Sequence, residues 1–309
     1  MSTVLYDSPG PRARLLSRTI SMIAIVITVV GLFFVIQYLA APRVNAGGGT
    51  PQPGMLDPSR WDLLLDRALW RAIILRGLAA TLQMAAVAAV LAVAFGMLLS
   101  IVRTARSPLL RVPALVVIEF FRGMPVLLLM LFILLVFSTG SYWAGVAALA
   151  LYNGAVIGEA LRSGIASLPR GQRESGLALG LGPLQTRFTI EFPQAFRQML
   201  PIIVAQLVVL LKDTSLAYII SYQELLAVGL RQLPTTFGNR YFFTLFFVVL
   251  AVYLIVNLLL SAAARLVAKR TSAGRPRRVS KRLAGVIAQL GGAGIEGATD
   301  SAKRGEPER

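Results

Sequence analysis

Charged and polar side chains inside otherwise apolar runs are the residues of this chain best placed to do chemistry. Lys212, Asp213, Thr214 and Ser215 follow one another in LLKDTSL, Arg122 stands in EFFRGMP, and Asn153 interrupts a run of Ala, Leu and Val. An arginine in hydrocarbon costs at least ~2.5 to 3.5 kcal/mol, so such groups face an interior cavity or pair with an acid. Two readings follow: the six residues line a path for a polar solute, or they form an interhelical charge network that holds a bundle together. Glu119 and Glu159 are the acids suited to Arg122, and Glu159 with Arg162, three residues on, can pair along one helix face. Arg122 lies about 16 Å beyond Arg111 along a helix. That places it deep in a crossing, unless residues 109–122 run along the inner surface. Lys212 and Asp213 point ~100° apart on a helix, so both cannot face one neighbour.

Other chemistries are excluded by composition. The 309 residues contain no histidine and no cysteine, which removes disulfides, thiol nucleophiles, zinc clusters and imidazole acid–base catalysis together. No G-x4-G-K-[ST] phosphate loop occurs, so the chain is not itself an ATPase and any nucleotide chemistry comes from a partner. No catalytic residue and no metal ligand is expected. With 56% hydrophobic residues and a mean hydropathy of +0.70, the chain reads as an all-α polytopic membrane protein. A formal charge of +17 is a nucleic-acid footprint in a soluble domain. Here the basic residues cluster between and after apolar runs, so membrane lipid is the expected partner and nucleic acid is not.

Between two of those runs lies a polar segment, residues 167–193, reading SLPRGQRESGLALGLGPLQTRFTIEFP. Ser167, Leu168 and Pro169 are suited to start a helix, Gly180 to stop it, and Pro183 to open a second short helix. Pro193 comes just before the next crossing, where a lost N–H costs little. A helical hairpin outside the bilayer is the expectation. Glu174, Ser175 and Gly176, then Gly180, Ile190, Phe192 and Pro193, resemble the EAA signature of bacterial ABC importer permeases, EAA-x3-G-x9-I-x-LP. The spacing is intact, with Ser175 and Gly176 in place of two alanines and Phe192 in place of leucine.

Further stretches narrow the resemblance to the polar amino-acid (histidine and glutamate type) branch of that family. FRGMP at residues 121–125, the Asn153 to Gly164 stretch, the Gly-Leu-x-x-Thr-Leu opening at residue 77 and KDTSL at 212–216 are each similar to stretches of that branch. The resemblance implies a type I ABC importer transmembrane domain of the MetI-like fold. It also implies a second permease subunit, different or identical, a cytoplasmic ABC ATPase dimer that binds ATP and Mg, and an extracytoplasmic solute-binding protein. This chain would bind no cofactor. Arg173, Glu174, Ser175, Gly176, Gly180, Ile190, Phe192 and Pro193 would couple to the ATPase, with Arg170 and Arg187 adding polar contacts and Leu177, Leu179 and Phe188 filling its cleft. Arg122 and Lys212 would attract substrate carboxylates, while Asn153, Asp213, Thr214 and Ser215 handle the ammonium or line the path. The basic tail and the first crossing look most like glutamate-uptake permeases of actinobacteria, which implies glutamate or a related polar amino acid.

These residues need a scaffold of about six transmembrane helices. Apolar runs at 19–41, 73–102, 112–137, 142–165, 196–220 and 241–266 are each long enough to span. Pro201 is expected to kink the fifth. With both termini cytoplasmic, the inner segments hold about 22 of the Lys and Arg residues against about seven outside. The expected organisation is a cytoplasmic N-terminus at 1–18, a first transmembrane helix at 19–41 and an extracytoplasmic linker with an interfacial helix at 42–72. The transport domain follows at 73–266, with its coupling segment at 167–193, and then a basic cytoplasmic tail at 267–309. Val44-Asn45-Ala46 loosely resembles a signal-peptidase site, but the preceding run exceeds a signal peptide's usual apolar core. Residues 221–240 read as a polar outer loop able to meet a binding protein. A bacterial inner membrane location follows. The alternative is an ion-coupled secondary carrier working without an ATPase, which calls for inverted repeats that are not evident.

Overall fold

Apolar side chains point outward over much of this fold, as lipid-facing helices require, and its interior is built largely from small residues. The computed structural model describes residues 10–42, 52–105 and 107–272, with side chains to 266. It divides into units 1–264 and 265–309; of the second only the turns up to Ser272 are described, so the expected basic tail lies mostly outside the described residues. Among the described residues there are helices and no strands.

The first helix, α1, spans Pro11–Ala40 and buries no side chain against the rest of the chain. After it, Asp57 caps a short 3₁₀ turn, its carboxylate accepting from the Ser59 amide at 2.9 Å. That hydrogen bonding holds the Asp57 carboxyl below its ordinary value. Helix α2, Arg67–Arg103, contains a π segment at Ala72–Leu78. Helix α3, Pro108–Gly123, and α4, Val126–Phe137, meet at 105°. Met124 and Pro125 are extended between them, because proline disfavours helical geometry in the residue before it. The third crossing expected at 112–137 is thus a bent pair, with the break after Gly123 that the alternative of a separate helix over 109–122 calls for. At ~1.5 Å per residue, α4 alone is about 18 Å long, short of the ~30 Å hydrocarbon core.

Helix α5, Ser141–Ala166, is the central post, with two thirds of its most apolar window buried. Its glycines let α2 come close: a Cβ on Gly96 would sit 2.8 Å from the Gly154 carbonyl oxygen, and one on Gly158 would sit 3.0 Å from that of Gly96. In lipid this intimacy replaces the hydrophobic driving force of a soluble core. The short α6, Arg170–Ala178, leads to α7, Pro183–Tyr218, in which Pro201 stays inside the helical run. One core joins α2, α4, α5 and α7 through Met84, Leu129, Leu149, Ile157, Ile203 and Leu210.

Residues 221–240 depart from expectation. Instead of a polar loop they contain a helix, α8, residues 225–237, whose Leu225, Val228 and Leu233 are buried. It packs in a second core with Leu69 and Ile73 of α2 and with Leu245 and Val249 of the last helix, α9, Phe242–Ser272. Five of these helices are long and apolar enough to span, and six spans result if the bent pair counts as one.

Candidate functional site

The hairpin at α6 and the start of α7 is built around two glycines. Gly180 has φ +81°, and the amides of Gly180 and Leu181 donate back to the carbonyls of Leu177 and Gly176 at 3.0 and 3.2 Å. This Schellman closure needs a left-handed residue, which glycine supplies without a Cβ penalty. Gly176 is buried at the seam where α6 crosses α7, and a Cβ there would lie 2.6 Å from Thr186 Cγ2 and 2.9 Å from Ile190 Cδ1. The spacing from Gly176 to Ile190 is therefore a packing relation between the two arms. Gln194 Nε2 donates to Gln172 Oε1 at 3.0 Å across the same hairpin.

Two sequence expectations change here. Ser167 does not cap α6, which starts after Pro169 without a side-chain cap; its hydroxyl donates to the Gly164 carbonyl at the end of α5 and accepts from Gln198. Pro183 opens no separate short helix, because α7 continues from it into the membrane span. That continuity passes through a π turn at Arg187–Glu191, directly before Pro193. A proline has no N–H for the preceding turn, and a wider turn at that point accommodates the loss.

Facing away from the bundle, the hairpin presents an apolar and ionic surface. Leu179 is 80% and Leu184 65% exposed, with Phe188 and Leu177 also exposed, beside the exposed Arg173, Glu174 and Ser175. An apolar cluster interleaved with charged residues, where α6 meets the start of α7, suits an interaction surface. Phe192 instead turns inward and stacks on Phe196 at 6.3 Å. Arg187 also turns inward and pairs with Glu191 at 3.8 Å, so it does not join the outward contacts expected of it.

The six charged and polar residues singled out within the spans fall into separate places. Arg122 is exposed on α3 and pairs with Glu119 at 3.3 Å, while Glu159 is taken by Arg162 at 2.6 Å. Asn153 is enclosed between α5 and α7, donating to the Leu149 carbonyl and accepting from Gln206 Nε2, each at 2.8 Å. Its geometry is that of a tie between helices. Lys212 and Ser215 share a cavity of about 450 Å³ with Tyr253, Asn257 and Ser261 of α9. Thr214 is buried behind it, bonded to the Leu211 carbonyl at 2.6 Å, and neither Asp213 nor Arg122 lines it.

Glu224, expected from the sequence on the polar outer loop, is instead the buried group that supports this cavity. Glu224, 0% exposed, caps α8 by accepting from the amides of Leu226 and Ala227 at 2.8 Å, and it accepts from the Tyr253 hydroxyl at 2.6 Å. Burial raises its carboxyl above the ordinary value, with the Tyr253 and backbone hydrogen bonds opposing. Nothing local marks Glu224, because glutamate is not a favoured N-cap residue. The signal that does exist is Tyr253 and Asn257, four apart and polar within an apolar run.

Comparison with known proteins bears on the whole arrangement. The family model described as the binding-protein-dependent transport system inner membrane component matches residues 92–273. The glutamate transport system permease protein GluD of Corynebacterium glutamicum is 38% identical over 233 residues, 73% of this chain and 84% of its own. A probable glutamine ABC transporter permease protein, GlnP of Bacillus subtilis, is 35% identical over 194 residues, 61% of this chain and 89% of its own. The crystal structure of an amino acid ABC transporter with histidines aligns at a TM-score of 0.60 and 26% identity, covering 68% of this chain and 98% of that one.

Proposed function

The chain belongs to the binding-protein-dependent transport system inner membrane components and is a permease subunit of an ABC amino-acid importer, and from this premise we propose that it carries glutamate or a related polar amino acid into the cytoplasm. A solute-binding protein delivers the substrate at the outer face, a second permease subunit completes the path, and two ATPase subunits, which bind ATP and Mg, dock on the hairpins. The observation that carries this reading is the hairpin itself. It is rigidly closed by Gly176 and Gly180 and attached to the span of α7 without a break. It holds Leu179, Leu184 and Phe188 out from the bundle.

Because α7 is helical from Pro183 to Tyr218, a push on the hairpin becomes a tilt of the whole rod. Closure of the ATPase pair on ATP draws the hairpins together, and α7 moves with α5, to which Asn153 and Gln206 tie it. The moving end carries Lys212 and Ser215, which sit on the cavity facing α9. Lys212 supplies the positive charge that attracts a substrate carboxylate, and Arg122 contributes at the bend between α3 and α4.

Reconstitution with the partner ATPase, second permease and binding protein in liposomes tests the reading. ATP-dependent uptake of labelled glutamate is expected, with Lys212→Gln reducing it at least about tenfold while ATPase binding persists. Uptake of arginine but not glutamate would overturn the substrate, and glutamate uptake independent of the ATPase would overturn the importer.

A further inference from the structure

Six arginines converge on one cavity at the end of the bundle that carries the hairpin. About 400 Å³ in volume, it is lined by Arg103 at the end of α2, Arg111 of α3, Arg162 of α5, Arg170 and Arg173 of α6, and Arg187 of α7, with Glu191 the one carboxylate on its wall among the described residues. Two of the six charges are answered within the chain, Arg162 by Glu159 and Arg187 by Glu191. Among the described residues, Arg103, Arg111, Arg170 and Arg173 form no ion pair. The Nε of Arg103 is buried without a hydrogen-bond partner. Several guanidinium groups around a half-open cavity, one with a desolvated and unmatched N–H, are suited to hold an anion from outside the chain.

We propose that this cavity binds the phosphate headgroup of an anionic phospholipid. Its depth is that of the headgroup region: Arg103 is the last residue of the α2 span and Arg162 lies in the last turns of the α5 span. Its wall is also mixed, with Ile165, Ala166 and Leu168 beside the arginines, as suits a phosphodiester with its glycerol and upper acyl carbons. Guanidinium forks match phosphate oxygens in pairs, which a point charge cannot do. The outward-facing Leu177, Leu179, Leu184 and Phe188 do not line the cavity, whereas Arg170 and Arg173 do, so it adjoins the face proposed for the ATPase from the bundle side. A lipid seated here bridges α2, α3 and α5 to α6 and braces the hairpin from behind. The proposal does not depend on which amino acid is carried.

Native mass spectrometry of the purified full-length chain, titrated with phosphatidylglycerol or phosphatidylcholine, tests it. Wild type is expected to keep one phosphatidylglycerol under conditions that strip phosphatidylcholine. Arg103→Gln with Arg111→Gln should weaken phosphatidylglycerol retention on the order of tenfold, the corresponding lysine pair should weaken it less, and Arg71→Gln at the other end of α2 should leave it unchanged. Should the double variant not purify, Arg111→Gln alone, on the exposed face of α3, gives the same direction with a smaller shift. Unchanged retention in a monodisperse glutamine variant, or equal retention of phosphatidylcholine by the wild type, would overturn the proposal. Displacement of the lipid by millimolar inorganic phosphate would also overturn it and assign a free-anion site.

Discussion

At the scale of single residues, Gly176 and Glu224 show how much a local environment decides. Gly176 occupies a place where the family signature has alanine, yet here Thr186 and Ile190 already fill the space a Cβ would take. Gly176→Ala therefore requires small shifts of two side chains, whereas Gly176→Val pries the arms apart. The valine variant should reach the membrane at near-normal levels and lose at least about tenfold in uptake, with ATPase capture by pull-down falling in parallel. Normal ATPase capture by Gly176→Val would show that the seam is dispensable. For Glu224 the expected loss is in stability. Truncation to alanine orphans the Leu226 and Ala227 amides and the Tyr253 hydroxyl, at about 1 to 3 kcal/mol for each buried group left unmatched. A lower melting temperature in detergent checks this, and Glu224→Gln, which keeps an acceptor, should lose less. The sign of its pH dependence is also fixed. A buried carboxyl with a raised folded-state value takes up its proton more readily when folded, so its contribution is present at low pH and lost as pH rises through that value. Glu224→Gln should flatten this part of a pH–stability curve.

At the scale of elements, close approach and helix breaks do the work. Helices α2 and α5 meet backbone to backbone at Gly96, Gly154 and Gly158, so Gly96→Leu drives a branched side chain into a carbonyl that cannot retreat. Folded yield, read as the monodisperse fraction on size exclusion, should fall severely, while Gly31→Leu in α1, where nothing lies within 4 Å of the added Cβ, should have no effect. Two of the three π turns among the described residues, Arg187–Glu191 and Val228–Gln232 but not Ala72–Leu78, precede a proline, Pro193 and Pro234. In both places the helix continues past a residue that cannot donate, and the wider turn absorbs the missing bond. A proline in this sequence therefore does not always mark a boundary, which is why residues 183–193 were expected to form a piece separate from the span.

At the scale of the whole molecule, α1 differs from the other helices of its unit in having no buried residue. By contrast α2, α4, α5, α7, α8 and α9 contribute buried residues to two cores. Cleaving an engineered protease site placed within residues 43–51 of the folded protein should leave the melting transition of the remainder within about 2 °C, a shift that corresponds to about 1 kcal/mol in a chain of this size. A larger drop would show that α1 is part of the bundle's energetics.

Composition and the spacing of apolar runs were enough to establish a helical membrane protein, its spans and the hairpin between α5 and α7, because hydrocarbon leaves a lone segment no other way to satisfy its backbone. The signature from Glu174 to Pro193 was readable by its resemblance to a family spacing; Gly180 answers to local backbone geometry, whereas Gly176 answers to packing between the two arms. What surrounds each polar residue was not readable. Asn153, Lys212 and Asp213 looked alike as polar groups in apolar runs, yet one is a closed interhelical tie, one lines a cavity and one lies off it. Residues 221–240 looked like a loop and hold a buried helix capped by Glu224. Both outcomes depend on which helix lies opposite, and that is fixed by packing between segments far apart in the chain, which no local window of sequence contains.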